Sequence, residues 1–325
     1  MNNCLEIETY PIYPHEKDTV LIFIASSEKR CLGLINKLDE GYSVSNTIII
    51  EYEHPCPKRS ENIIIMENKL KSRSDVQRIK MDETAVTPKI AEIINVIAEA
   101  CKNTEVPKIT IDISTMIKWH LLLLLKAMAQ KELLSFVRFI YTEPEDYFLD
   151  VMQPLSFGNK GTFPVPFFQG NFDFSLETCL FLMLGYEGQR SLSILESMDP
   201  EKCFLLIPDP PYKPEWKGRT EKMNKEVINL VGKNNLRYID ARDPYLIKSQ
   251  IKEIIIHADV SHYNRMFAPL GPKPQLLGLF DYYMENCTNT NIVYVSPLRH
   301  NDIYSKEIGR TWIIKERNGK NHSKN

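Results

Sequence analysis

The sequence contains no Cys-x-x-Cys pair; its seven cysteines, at 4, 31, 56, 101, 179, 203 and 287, are scattered. That spacing argues against a disulfide scaffold and against a structural zinc site. His54, His120, His257 and His262 do not supply zinc-ligand spacing either. There is no Gly-x-Gly-x-x-Gly fingerprint and no P-loop, so neither NAD binding nor phosphate-loop ATP binding is expected. Charge of one sign is also lacking. Forty Lys and Arg against 42 Asp and Glu leave a formal net charge of -2, which argues against a surface built broadly for phosphate backbones. Duplex nucleic-acid binding is not expected, although a local basic groove would survive this average. Long apolar runs are missing too: residues 121–125 are flanked by His120 and Lys126 and fall far short of the ~20 residues a membrane helix needs. The first residues carry Glu6, Glu8, Pro11 and Pro14 without an apolar core, unlike a secretory signal. The expectation is a cytoplasmic protein with no membrane partner, no metal and no cofactor.

What the chain has is ordinary globular material: 325 residues, 43% hydrophobic and 25% charged, enough for one large domain or two of usual size. Its most informative feature is a repeated plan. The order of apolar runs, turns and polar punctuation between Val20 and Tyr147 returns between Cys179 and Tyr304. The first pass reads as a buried strand at 19–25, a helix at 31–38, a strand at 47–52, a helix near 64–73 and a strand near 76–81. A helix follows at 90–100, where apolar residues recur at 90, 93, 94 and 97. A strand at 108–113, a helix capped by Ser114 and Thr115, and a strand at 136–141 complete it. The second pass reads strand 179–184, helix 191–198, strand 203–207, helix 220–231, strand 236–240, helix 246–256, strand 264–268, helix 275–284 and strand 291–295. Glu28 aligns with Glu187, and Tyr141-Thr142-Glu143-Pro144 with Tyr294-Val295-Ser296-Pro297.

Alternating runs of this kind predict an α/β fold of two tandem Rossmann-like units, each with a mainly parallel sheet, related by a pseudo-two-fold. The expected divisions are 1–147 for the first unit, 148–175 for a linker or lid, 176–315 for the second unit and 316–325 for a frayed polar tail. Any α/β chain has some self-similarity, so coincidental periodicity stands beside true duplication. Residues 148–175 are rich in Pro, Gly and Phe; Phe157, Phe163, Phe167 and Phe168 can pack over a sheet edge or form a lid.

In parallel sheets ligands bind beyond the carboxyl ends of the strands, and polar residues concentrate there. In the first unit these are Ser26, Ser27, Glu28, Arg30, Ser114, Thr115, Glu143 and Asp146. In the second they are Tyr186, Glu187, Arg190, Asp209, Lys273, Ser296 and Arg299. Glu28 and Glu187 can shape turns, bind a ribose or base edge, or act as carboxylate catalysts. Pro269-Leu270-Gly271-Pro272-Lys273-Pro274 joins a strand to a helix; it reads either as a rigid turn or as an anion site at a helix start.

The segment Leu270-Gly271-Pro272-Lys273-Pro274, after a strand and before a helix, resembles the ligand loop of CRISPR-associated Rossmann-fold (CARF) sensor domains. The paired plan of residues 18–315 resembles the fused sensor domains of antiviral signalling systems. Pro272 stands where that family often has threonine, and Asp112-Ile113-Ser114-Thr115 of the first unit lacks the glycine and lysine. The resemblance implies binding of a nucleotide or cyclic oligonucleotide across a two-fold interface and signalling to a separate effector protein. Gly271 and Lys273 are the matching residues, with Ser26, Ser27, Ser114 and Thr115 as contacts in the opposing unit. Where the duplication is true, the asymmetry between the Gly271–Lys273 and Ser114–Thr115 turns suggests one composite pocket rather than two identical sites. Three functions remain open: a nucleotide-responsive sensor, a nucleoside or nucleotide glycosidic-bond hydrolase or transferase using Glu28, Glu187 or Asp209, and a non-catalytic interaction scaffold.

Overall fold

The computed structural model describes residues 4–8, 17–82, 84–148, 155–301 and 304–315. The chain divides into two compact units, one of Met1–Phe148 with Asp302–Asn325 and one of Leu149–Asn301. The first opens with β1 (Cys4–Ile7), β2 (Asp18–Ala25), β3 (Val44–Tyr52), α1 (Pro57–Leu70) and β4 (Asp75–Met81). It continues through α2 (Val86–Cys101), β5 (Ile109–Asp112), α3 (Lys118–Gln130), β6 (Val137–Thr142) and β7 (Asp146–Tyr147). The second unit runs β8 (Ser156–Phe157), β9 (Gly161–Pro164), β10 (Thr178–Met183), α4 (Gly188–Met198), β11 (Lys202–Pro208), α5 (Glu215–Met223) and α6 (Lys225–Val231). It ends with β12 (Leu236–Ile239), α7 (Pro244–His257), β13 (Asn264–Pro269), α8 (Lys273–Glu285), β14 (Thr290–Ser296) and β15 (Arg299–His300). The chain then returns to the first unit through β16 (Ser305–Lys306) and β17 (Thr311–Lys315).

Each unit is Rossmann-like. The first sheet has the order β1-β17-β6-β5-β2-β3-β4 and the second β12-β11-β10-β13-β14-β9. In both, five parallel strands follow the order 3-2-1-4-5, counted within the unit, and an antiparallel segment covers strand 5. All eight residues of β2 are buried, as a central strand covered on both faces requires. β10 is its counterpart. Phe181 on β10 pairs with Phe204 and Phe267 on the flanking strands, and the rings stack at 5.6 and 4.7 Å. The apolar stripe at Ile90, Ile93, Ile94 and Ile97 is the buried face of α2. The run at 121–125 is a fully buried stretch of α3, a helix of 13 residues. Among the described residues no helix is long and apolar enough to cross a membrane.

Four local expectations change. Residues 31–38 do not form an α-helix but two short 3-10 turns, Lys29–Leu32 and Ile35–Lys37. Gly33 lies so close to Thr142 that a Cβ would collide with its side chain, so a residue without one lets this segment approach β6. The helix expected at 220–231 is two helices. Asn224 sits at their junction and spends its side chain on other bonds, to Gly185, Thr220 and Ser191. α3 starts at Lys118 after Ile117, so Ser114 and Thr115 do not cap it. Finally, residues 311–315 belong to the first sheet, between β6 and β1, rather than to the second unit; Tyr304 likewise stacks on Tyr147 at 6.2 Å. Within 148–175, Phe163 packs edge-on against Tyr294 and Phe168 is buried against Phe280 and Tyr283, while Phe167 is exposed. The tail at 316–325 and Asp302 lie outside the described residues.

Candidate functional site

The 3-2-1-4-5 order reverses between strands 1 and 4, opening a crevice at their carboxyl ends. In the first unit that edge is formed by the turn after β2 and the turn after β5. Arg30 donates through Nε to Glu28 Oε2 at 2.7 Å and through Nη2 to Oε1 at 3.1 Å, a two-pronged pair buried on both sides. The Tyr304 hydroxyl donates to the same Oε1 at 2.6 Å, and Arg30 Nη1 lies 3.5 Å from the Thr142 carbonyl. Burial works against the Arg30 charge, yet Glu28 and the nearby tyrosines hold its pKa well above the usual value. Burial and the Glu28 charge push Tyr304 far up as well, and burial pushes Tyr141 up to about 12.

The second turn of this edge is equally committed. Both the backbone N–H and the hydroxyl of Ser114 donate to Asp112 Oδ1, and Ser114 Oγ accepts the Thr142 N–H at 2.7 Å. Thr115 donates to the Ile24 carbonyl at 2.8 Å. Ser26 accepts the Glu28 N–H on Oγ at 3.2 Å and receives Asn62 Nδ2 on its carbonyl at 2.8 Å; Ser27, beside it, is half-buried. Glu143 is buried and accepts Arg310 Nε at 2.6 Å. These side chains tie strands together.

The second unit repeats the device with different partners. Glu187 accepts Arg190 Nη1 on Oε2 and the Ser156 hydroxyl on Oε1, each at 2.6 Å. Arg190 Nη2 donates to the Val295 carbonyl, and the guanidinium lies 5.3 Å from the Tyr294 ring centroid. Despite burial, Glu187 and Tyr294 keep the Arg190 pKa raised. The Glu28–Arg30 and Glu187–Arg190 pairs therefore join the turn after strand 1 to the end of strand 5 in their own units, the arginine making the reach. Both oxygens of each carboxylate are thus engaged by groups of the same unit.

The remaining second-unit residues form a different surface. The Leu270 N–H donates to the Met183 carbonyl at 2.9 Å, so the turn after β13 lies against the end of β10. A Cβ on Gly185 would collide with the Leu270 carbonyl oxygen, and one on Gly271 with Gln275 Oε1. Lys273 is the first residue of α8. Gln275 Nε2 donates to the Asp240 carbonyl at 3.0 Å, fixing the first turn of this helix to the end of β12. Asp209, directly after β11, pairs with Lys217 at 2.6 Å and is half-exposed. Tyr186 stands edge-on to Trp216 at 6.2 Å. Arg299 is exposed and covers the Phe157 ring at 4.7 Å, and Ser296 contributes its carbonyl to the Lys160 N–H at 2.8 Å; neither joins the loop group through these contacts.

Sequence reasoning missed Tyr304, Asn62, Asn224, Trp216 and Lys217. Only Asn224 left a local signal, a polar residue inside an otherwise periodic helix. None of the seven cysteines is in a disulfide; Cys31 and Cys179 are buried and Cys203 half-buried, and burial pushes these three thiols up to about 12. Among the described residues no group of three or more His, Cys, Asp or Glu could hold a metal ion.

No protein-family model matches the chain, and no curated protein matches it. Among solved structures it is similar to a Pseudomonas aeruginosa UCBPP-PA14 protein provisionally assigned as a universal stress protein, at 11% identity and a TM-score of 0.24, over 86% of this chain and 94% of that one. It is also similar to a functionally unknown protein of Pseudomonas aeruginosa PAO1, at 10% identity and a TM-score of 0.24, over 86% of this chain and 93% of that one. Likeness at that level transfers neither ligand nor activity.

Proposed function

We propose that the chain binds a nucleotide without turning it over, and that the second unit receives the phosphate end at the Leu270-Gly271-Pro272-Lys273 loop. The observation that carries this reading is the close packing of two turns at one switch point, where Gly185 lies so near the Leu270 carbonyl that a Cβ would collide with it, and where α8 begins at Lys273. A helix start attracts an anion, and a lysine there adds a full charge. Binding is favoured over hydrolysis because Glu28 and Glu187 are both held by buried arginines. In the first unit the equivalent turn is occupied by its own side chains, Ser114 on Asp112 and Thr115 on Ile24. The extension to cyclic oligonucleotides, and to a separate effector in defence signalling, rests on Gly271 and Lys273 alone.

The test is equilibrium titration of the whole chain with the four ribonucleoside 5′-triphosphates and with cyclic di-, tri- and tetra-adenylate, with product analysis of each mixture. At least one probe is expected to bind unchanged chemically. Lys273→Ala should weaken it roughly tenfold or more, the effect of losing one charge-assisted hydrogen bond. Thr115→Ala should leave affinity unaltered. Absence of binding across the set, or indifference to Lys273→Ala, would reject the reading; released base or cleaved phosphate would restore the enzyme alternative.

A further inference from the structure

We infer that Asp209 and Lys217 form the sugar-recognising end of the second unit's site, with Asp209 Oδ1 accepting the 2′-hydroxyl of a ribonucleotide; this rests on the nucleotide reading above. Asp209 is the first residue beyond β11, the second strand of the parallel order, and its N–H donates to the Ile239 carbonyl at 2.8 Å. That bond fixes the Asp209 backbone beside the end of β12. Its Oδ2 accepts Lys217 Nζ at 2.6 Å, and its Oδ1 makes no hydrogen bond among the described residues. The side chains are 33% and 35% exposed, so the pair contributes little to folding and remains open to a ligand.

The surroundings suit a nucleoside. Lys217 Nζ lies 4.1 Å from the Tyr238 ring centroid, and Tyr238 is 45% exposed. From the same helix, Trp216 meets Tyr186 in the turn after β10. α5 thus links the ends of strands 1, 2 and 3 through two consecutive residues. A nucleotide with its phosphate at the switch point between strands 1 and 4 can extend its ribose toward the end of strand 2, where Asp209 stands. Lys217 engages Oδ2 and so leaves Oδ1 as the acceptor for a ligand. The Asp209 hydrogen bond in turn raises the Lys217 pKa.

The experiment compares the four ribonucleoside 5′-triphosphates with their 2′-deoxy counterparts on the unaltered chain, on Asp209→Ala and on Asp209→Asn. The unaltered chain is expected to prefer the ribonucleotide roughly tenfold to a hundredfold, as loss of a hydrogen bond to a charged acceptor implies. Asp209→Ala should abolish that preference while Lys273→Ala lowers both affinities in parallel. Asp209→Asn, close in shape, keeps the test valid if the alanine variant is unstable, and should reduce the preference. Equal binding of both sugars with a Lys273-dependent affinity would overturn this inference and leave the nucleotide reading standing. Binding of no probe would overturn both.

Discussion

Glu28 and Glu187 hold the same place in two sheets whose partners differ. Each follows the first parallel strand of its unit, and each is paired with an arginine a few residues on that reaches the end of strand 5, Thr142 for Arg30 and Val295 for Arg190. The second hydroxyl partner is unrelated, Tyr304 in one case and Ser156 in the other. A repeated ion pair with changed accessories, on an identical strand order, is what a duplicated unit retains when a structural role is kept and the surroundings drift.

The first pair is the more deeply buried, with side-chain exposures of 6% for Glu28 and 4% for Arg30 against 14% and 7% for Glu187 and Arg190. Glu28→Ala leaves a buried guanidinium without its carboxylate and is expected to cost about 3–5 kcal/mol in urea unfolding. Glu187→Ala should cost less. The double change Glu28→Met with Arg30→Met should recover part of the loss, since the remaining buried charge is removed with its partner. A double variant less stable than Glu28→Ala would count against this account.

Two helical glycines in the second unit make a contrasting pair. A Cβ on Gly188 would strike the Met223 carbonyl oxygen, backbone at the α5–α6 junction, whereas one on Gly218 meets nothing within 4 Å. Gly218→Ala in the interior of α5 should raise stability by about 0.5–1 kcal/mol. Gly188→Ala should lower it, and thermal melts of the two variants should move in opposite directions.

Burial pushes the Asp281 carboxyl from its ordinary 3.8 up to about 6, with Lys248 opposing and Glu285 adding. The folded state therefore holds this proton more tightly than the unfolded chain. Its contribution to stability is complete below about pH 4 and is lost as pH rises through about 6. Asp281→Asn mimics the protonated form. It should match the unaltered protein at pH 4 and exceed it at pH 8 by up to about 3 kcal/mol, two pKa units at 1.36 kcal/mol each. Urea midpoints that differ equally at both pH values would show that the carboxyl does not titrate in this way.

The parallel strands were legible in the sequence because they are continuous apolar runs: β2 and β10 are buried along nearly their whole length and read as central strands without further context. The alignment of Glu28 with Glu187 and of Tyr141 with Tyr294 also follows from the chain alone. The reason these residues align did not, because an arginine two or three positions on, reaching across to strand 5, leaves no periodic mark. Helix starts misled where a hydroxyl had a stronger local partner, as Ser114 does in Asp112. The Leu270–Lys273 loop was visible as punctuation, but Lys217 and Trp216 came to the strand ends only through the fold of α5. Covering strands were the least legible, since β1, β9 and β17 are short or pair far from their neighbours in the chain.

The return of the chain through β17 makes one unit dependent on residues that follow the other. Ile313 and Ile314 are buried, Thr311 Oγ1 lies 3.1 Å from Thr142 Oγ1, and Arg310 pairs with buried Glu143. β17 sits between β6 and β1, so its removal strips an apolar layer and exposes the backbone of β6 as a free edge, a surface prone to pairing with other chains. A fragment of residues 1–148 is therefore expected to aggregate or to lack a cooperative unfolding transition. A fragment of residues 149–301 contains all six strands of its own sheet and should unfold cooperatively. Supplying residues 304–315 as a linked C-terminal segment to 1–148 should restore a cooperative transition. Cooperative folding of 1–148 without that segment would show that β17 covers the sheet without completing it.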